Sequence, residues 1–268
     1  MRSILLHIAD DDCLEAKTQV ALDLARAFGG HMTCLQAVPY EYGVPGDFYG
    51  GFMADLIPIM REAAEKVRER CETRLAPEDV TWSWDHEDGP AAEHLLRRGA
   101  LSDVVVVGSH EPFGRGPSTL AENLVLRGRT PIMLVPEHVK GLDCTGTALI
   151  AWNGSEEASR ALKAAVPLLA KARSVVLASV TGEPDDRSDF PAVDGAEYLA
   201  RHDIDCQMIE FPLGRGSVAD VLAEAAGARD AAYLVMGAYG HFRIVEAALG
   251  GVTRRLFAKP PLPIFACH

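Results

Sequence analysis

The sequence predicts an α/β protein made of two tandem doubly wound domains, each with a five-stranded parallel sheet. Short runs rich in Val, Ile and Leu alternate with amphipathic helical stretches along all 268 residues. Buried parallel strands connected by helices have this pattern. The order of these runs also repeats once, at an offset of about 130 residues. A duplicated domain is expected to look this way.

Two pairs of segments make the repeat visible. D-V-V-V-V-G at 103–108 matches A-Y-L-V-M-G at 232–237, and T-P-I-M-L-V-P at 130–136 matches L-P-I-F-A-C-H at 262–268. A polar, glycine-containing stretch separates the two copies. We therefore predict one domain at residues 1–138 and a second at residues 145–268.

Hydrophobic period, glycine and proline set the expected element boundaries. In the first domain we expect strands at 3–9, 31–38, 80–84, 103–108 and 131–135, with helices at 13–28, before 76, and at 90–99 and 120–126. In the second we expect strands at 147–153, 174–180, 204–211, 232–237 and 262–266, with helices at 156–171, 193–201, 217–226 and 251–258.

Composition argues against several classes of protein. The net charge is −12, so we expect no binding to nucleic acid or to an anionic membrane through Lys and Arg. The first apolar run stops at three aspartates, which makes it too short for a signal peptide or a spanning helix. Six cysteines without a Cys-x-x-Cys pair favour reduced, mostly buried thiols. We expect a cytoplasmic protein.

A glycine-rich stretch follows the fourth strand of the second domain. Gly237 ends the strand, Gly240 follows, and nine residues separate it from Gly250-Gly251, where the next helix begins. Glycines let backbone amides approach an anion, and the amides of a helix start carry partial positive charge. In such sheets ligands bind beside the first and fourth strands, at the switch point. The stretch indicates a phosphate site, although turns alone would also explain the glycines.

This spacing on this fold resembles the universal stress protein family. The motif of its nucleotide-binding branch is Gly, two residues, Gly, nine residues, Gly, then Ser or Thr. Gly237, Gly240 and Gly250 occupy the glycine positions, and Gly251 stands where the family has Ser or Thr. The resemblance covers essentially the whole chain. It implies a tandem two-domain member with the adenine nucleotide alpha-hydrolase-like fold.

The resemblance also implies that the second domain binds ATP, or AMP or ADP in its place, with or without Mg²⁺. Family members commonly have an aspartate after the first strand, where this chain has Asn153, and a turn or cap role explains Asn153 equally well. The missing hydroxyl at position 251 should weaken binding by about 0.5–1.5 kcal/mol without abolishing it. The implied binding residues are Asn153, Val180, Gly237, Gly240, Gly250, Gly251, Val252 and Thr253.

The first domain lacks the glycine motif. Glu111 takes the position of the second glycine, and three aspartates follow the first strand. Carboxylates there would repel a triphosphate, so we expect no nucleotide in this crevice. A divalent cation is an alternative occupant, but no ligand spacing supports it, and solvated loop carboxylates explain these residues better. We therefore assign no metal site; its hypothetical ligands are Asp10, Asp12, His110 and Glu111.

The sequence contains no recognisable catalytic constellation. It has no G-x-S-x-G elbow, P-loop or kinase signature, so phosphoryl transfer would lack its usual lysine and Mg²⁺ ligands. We assign no catalytic residue. The leading interpretation is an ATP-binding stress-response regulator. A slow ATP-hydrolysing enzyme and a nucleotide-free interaction scaffold with an unidentified protein partner stay open as alternatives.

The last strand of each domain is expected to lie at a sheet edge. In many relatives such strands pair to form a dimer, and here Ile132–Val135 and Ile264–Ala266 could pair within one chain. The protein would then be an intramolecular pseudo-dimer whose halves are related by a pseudo-two-fold axis. A further homodimer stays open.

Overall fold

Strands and helices alternate along the part of the chain that the computed structural model describes, residues 1–38, 50–110, 118–182, 190–214, 216–240 and 251–268. The first half contains β1 (Ser3–Ile8), α1 (Leu14–Phe28), β2 (His31–Val38), α2 (Gly50–Leu75), β3 (Thr81–Asp88), α3 (Ala91–Gly99), β4 (Val104–Gly108), α4 (Thr119–Arg127) and β5 (Ile132–Val135). The second half contains β6 (Thr147–Ala151), α5 (Glu156–Leu169), β7 (Ser174–Thr181), α6 (Ala192–Ala200), β8 (Gln207–Pro212), α7 (Val218–Ala228), β9 (Ala231–Gly237), α8 (Gly251–Ala258) and β10 (Ile264–Cys267).

All ten strands belong to one sheet, in the order β3-β2-β1-β4-β5-β10-β9-β6-β7-β8. The strand pairs within each half are parallel. Strand β1 lies beside β4, and β6 lies beside β9, so each half has the predicted switch point at the carboxyl ends of its two central strands. The predicted fold class is confirmed.

The two halves join through the pairing of β5 with β10, which is antiparallel. Phe265 lies opposite Met133, and Ile264 lies opposite Leu134. All four side chains are fully buried. An unpaired strand edge exposes a row of amides and carbonyls, and here each half covers the edge of the other. The predicted pairing within one chain is confirmed.

Helices cover both faces of the sheet, and the core is divided between these faces. Successive strand residues point to opposite faces: Leu6 and Ile150 belong to one buried cluster, whereas Leu5 and Leu149 belong to the other. The central strands are therefore apolar at nearly every position, which explains their apolar runs in the sequence. The buried His7 of β1 is an exception.

Several element boundaries differ from the predicted ones by a few residues, and contacts in the structure explain three of the observed boundaries. Strand β3 continues to Asp88 because its pairing with β2 extends to Val38. Strand β6 ends two residues before Asn153, which forms a turn instead. Helix α7 begins after Ser217, whose side chain forms a capping box with Asp220.

Candidate functional site

The second-half crevice lies at the carboxyl ends of β7, β6 and β9. Ala151 of β6 pairs with Ala178 of β7 and with the residue before Gly237 on β9. Two residues beyond Ala151 and Ala178 are Asn153 and Val180, which therefore reach the same edge of the sheet as the end of β9. The fold thus brings three of the sequence-predicted binding residues to one crevice.

Asn153 forms the turn between β6 and α5. Its Oδ1 accepts a hydrogen bond of 3.2 Å from the backbone amide of Ser155. The Ser155 hydroxyl then caps α5 by accepting from the amide of Ala158, at 3.1 Å. The Asn153 side chain is exposed. Its carbonyl oxygen has a local structural role, which is the turn role that the sequence left open.

Gly237 is a point of close packing between β9 and the start of α5. A Cβ added to Gly237 would lie 2.4 Å from the backbone nitrogen of Ala158 and 2.5 Å from the backbone carbon of Glu157. The equivalent glycine of the first half, Gly108, packs similarly against the start of α1, 2.8 Å from the Cβ of Cys13. A side chain is excluded in both halves. The packing explains Gly237 without a ligand.

Gly240 lies beneath the side chain of Glu157. A Cβ on Gly240 would meet Glu157 Oε2 at 2.5 Å. No positive φ is recorded for Gly240, so the backbone conformation there does not require glycine. The space that the missing side chain leaves is occupied by a carboxylate. Sequence reasoning missed Glu157, and its position in the first turn of α5 carries no signal of this contact.

Helix α8 begins at Gly251 and points its first amides out of the helix start. A Cβ on Gly251 would have no neighbour within 4 Å among the residues that the structure describes, and the residue is exposed. Val252 is half-buried and Thr253 is buried. The hydroxyl of Thr253 accepts a hydrogen bond of 3.3 Å from the backbone amide of Tyr239. This bond holds the first described turn of α8 against the loop after β9, and backbone amides near the N-terminus of a helix are favourable partners for an anion.

Tyr239, which the sequence did not single out, links this loop to the first half. Its φ is 60°, a left-handed conformation that few non-glycine residues adopt. Its ring meets Phe257 edge-on, with the centroids 6.2 Å apart. Burial, together with the carboxylate of Glu122 in α4, raises the pKa of the Tyr239 hydroxyl. In the described part of the chain the buried Tyr239 hydroxyl has no hydrogen-bond partner, so Glu122 of α4 acts on it through its charge.

One residue of the predicted site lies outside the described part of the chain. Gly250, the third motif glycine, falls in the segment 241–250. The described site consists of Asn153, Glu157, Val180, 237–240 and 251–253.

The first-half crevice contains a buried ion pair. Lys17 Nζ contacts Asp11 Oδ2, and both side chains are at most 2% exposed. Asp11 also accepts a hydrogen bond of 2.9 Å from the amide of Cys13, so it makes the same turn as Asn153 in the second half. The positive charge of Lys17 therefore compensates the negative charge of Asp11 within the protein. Removing one member of such a buried pair typically costs about 3–5 kcal/mol of stability.

Two of the hypothetical metal ligands, Asp10 and His110, contact other side chains of the protein. Asp10 forms an ion pair with Arg70 at 2.5 Å, and His110 Nδ1 lies 3.3 Å from Ser109 Oγ and 3.7 Å from Cys13 Sγ. Glu111 lies outside the described residues. Across the described ranges, no group of three or more His, Cys, Asp or Glu side chains is arranged to hold a metal ion. None of the helices in those ranges has the length and apolar character to cross a membrane.

The fold and the crevices define a tandem doubly wound α/β protein with one switch-point crevice in each half. No protein-family model matches the sequence, and no curated protein matches it. Solved structures do match over the whole chain, and their fold is that of universal stress proteins. The chain therefore has the tandem universal stress protein fold.

Three of these structures illustrate the similarity. A universal stress protein from Archaeoglobus fulgidus DSM 4304 superposes with a TM-score of 0.73 at 16% identity, covering 98% of this chain and 97% of its own. A Pseudomonas aeruginosa UCBPP-PA14 protein assigned to the same class gives a TM-score of 0.61 at 14% identity, with 100% and 93% covered. A Pseudomonas aeruginosa PAO1 protein of unknown function gives 0.60 at 14% identity, with 100% and 92% covered.

Proposed function

We propose that this chain is a universal stress protein of the tandem type, a stress-response regulator that binds an adenine nucleotide in its second half. The ligand is ATP, ADP or AMP, with or without Mg²⁺. The domains of this proposal are residues 1–138 and 145–268. The observation that carries it is the position of the first described turn of α8, which Thr253 holds beside the loop after β9. Partial positive charge at a helix start favours a phosphate there.

Gly251 provides the strongest structural support because packing does not explain it. Gly237 is required by its contact with α5, and Gly240 accommodates Glu157. Gly251, in contrast, faces open space. A phosphate could approach its amide without displacing a side chain. The first half supports the same assignment by contrast, because Lys17 and Asp11 neutralise each other in its crevice.

The proposal includes a cytoplasmic location. All six cysteines are free, and five of them are buried. Burial raises the pKa of the Cys34 and Cys144 thiols to about 12, which keeps them protonated and unreactive at neutral pH. A set of unpaired, unreactive thiols is expected of a protein that works in a reducing compartment.

The test combines identification of the ligand with a matched pair of variants. Small molecules released from freshly purified protein are identified by mass spectrometry, and calorimetry measures ATP, ADP and AMP binding to wild type, Gly251→Asp and Gly251→Asn. Both new side chains extend into open space, so the fold should be retained. The aspartate adds a negative charge at the helix start and should abolish binding, whereas the asparagine should retain most of it.

Two outcomes would overturn the proposal. If wild type binds none of the three nucleotides at millimolar concentration, the chain is better described as a nucleotide-free scaffold. If nucleotide binds but the aspartate and asparagine variants bind it equally, the site lies elsewhere. Hydrolysis measured in the same samples decides whether the protein is also a slow ATPase.

A further inference from the structure

The carboxylate of Glu157 occupies the position where a phosphate-binding loop would normally present open space. Glu157 lies in the first turn of α5, and its Oε2 would be 2.5 Å from a Cβ on Gly240. The side chain is half-buried, so water screens its charge only in part. A ligand phosphate that reached Gly240 would therefore meet a negative charge.

The described loop residues supply little positive charge to compensate. Positions 237–240 read G-A-Y-G and positions 251–253 read G-V-T, all neutral, and the nearest described cation along the chain is Arg254, whose charge acts on Tyr239. The partial charge of a helix start is only about half an elementary charge. It can stabilise one phosphate group near Gly251, but a second and third phosphate would extend the ligand's charge toward Glu157. Repulsion between like charges grows with each added phosphate.

We propose that Glu157 makes the second-half crevice selective for adenine ligands of low phosphate charge, such as a nucleoside monophosphate, over the metal-free triphosphate. The inference rests on the proposed nucleotide function and concerns the same site. A divalent cation that neutralises the triphosphate reduces the repulsion. With Mg²⁺ present, the difference in affinity between the monophosphate and the triphosphate is therefore smaller.

Glu156 is an acidic residue in the same helix turn that serves as a comparison for Glu157. It is exposed, and its carboxylate pairs with Arg160 at 2.7 Å, one helical turn away. Either glutamate is favourable near the start of a helix. Only Glu157 contacts the glycine loop. A general role in stabilising α5 thus predicts equal effects for the two positions, whereas selectivity predicts an effect at Glu157 alone.

The experiment compares wild type, Glu157→Gln and Glu156→Gln in the full chain. Calorimetry measures the dissociation constants of AMP and of ATP, in chelator and in excess Mg²⁺. Each variant removes one negative charge from the same helix turn, so their net charges are equal. We expect Glu157→Gln to tighten metal-free ATP about fivefold to tenfold relative to AMP, since a charge at contact distance is only partly screened. Mg²⁺ should reduce this gain.

Glu156→Gln should leave the ratio of the ATP and AMP dissociation constants within about twofold of wild type, as expected for an exposed charge. Binding of AMP and ATP with an unchanged ratio in Glu157→Gln would refute the selectivity and leave the proposed function intact. An equal change in both variants would also refute it, because a helix-wide effect would then suffice. Absence of binding in all three proteins would refute the proposed function itself.

Discussion

The backbone amide of Tyr239 donates a hydrogen bond to the side-chain oxygen of Thr253, 3.3 Å away. Residues 240–252 separate the two partners in sequence, yet this bond holds the loop after β9 against the first described turn of α8. Thr253 is only 5% exposed, so water cannot easily replace its hydroxyl as the acceptor. The geometry of the candidate site therefore depends on the hydrogen bond between the Thr253 hydroxyl and the Tyr239 backbone amide.

Replacing Thr253 by Val should therefore destabilise the protein and loosen the loop. Valine has nearly the same shape but no acceptor, which leaves the Tyr239 amide unpaired at a cost of about 1–3 kcal/mol. Thr253→Ser keeps the hydroxyl and should lose much less. Urea unfolding followed by circular dichroism measures both. Equal losses in the two variants would mean that the methyl group, and not the hydrogen bond, is what matters at this position.

Restoring a hydroxyl at position 251 should strengthen nucleotide binding. A side chain at Gly251 would have no neighbour within 4 Å, so serine fits and can donate to a phosphate. A net contribution of about 0.5–1.5 kcal/mol corresponds to roughly twofold to tenfold tighter binding. Gly251→Ala adds the same Cβ without the hydroxyl and is the control. Calorimetry with AMP and ATP should show the gain in the serine variant alone.

Alanine at Gly237 should damage the fold and not only the site. Its Cβ would lie 2.4 Å from the backbone nitrogen of Ala158, and backbone atoms cannot move aside cheaply, so we expect a loss of at least about 1–3 kcal/mol. At Gly108 the nearest atom is the side-chain Cβ of Cys13, at 2.8 Å, so Gly108→Ala should cost less. Denaturant unfolding of both variants gives the comparison. A milder effect at Gly237 than at Gly108 would contradict this packing argument.

The fold could be predicted from the sequence because its signals are local and occur twice. Unbroken apolar runs identified the parallel strands, and the repeat of D-V-V-V-V-G as A-Y-L-V-M-G aligned the halves. Doubly wound sheets then have few possible strand orders. The pairing of β5 with β10 was expected because the last strands of two domains pair in many members of the family that the sequence resembles.

The candidate site was predictable only in outline. The glycine spacing located the loop after β9 and the first described turn of α8. It attributed all the glycines to phosphate binding, whereas Gly237 is required by close packing against α5. The contact of Glu157 with Gly240 joins residues more than eighty positions apart. No periodicity or motif encodes such a contact, because it depends on how α5 sits on β9. The pairing of Lys17 with Asp11 was missed for a related reason, since lysine is rarely fully buried.

The imidazole of His7 should make the protein less stable in mild acid. His7 lies in β1 and is 3% exposed. Burial, and then the positive charge of Lys17, holds its pKa well below the ordinary value of 6.5. Below that ordinary value the unfolded chain binds a proton that the folded protein does not bind. The contribution of His7 to the free energy of unfolding is therefore fully present above pH 6.5. It decreases as the pH falls below 6.5, until the pKa of His7 in the folded state is reached.

The decrease from one such histidine approaches about 1.4 kcal/mol per pH unit. Replacing His7 by Gln should remove this contribution, even if the variant is less stable at neutral pH. Urea unfolding at several pH values between 6.5 and 5 measures the slope for wild type, His7→Gln and a control, His31→Gln, whose side chain is exposed. Carboxylates contribute equally in all three proteins, so the difference in slope isolates His7. If His7→Gln retains the wild-type slope, the buried imidazole is not the source of the acid sensitivity.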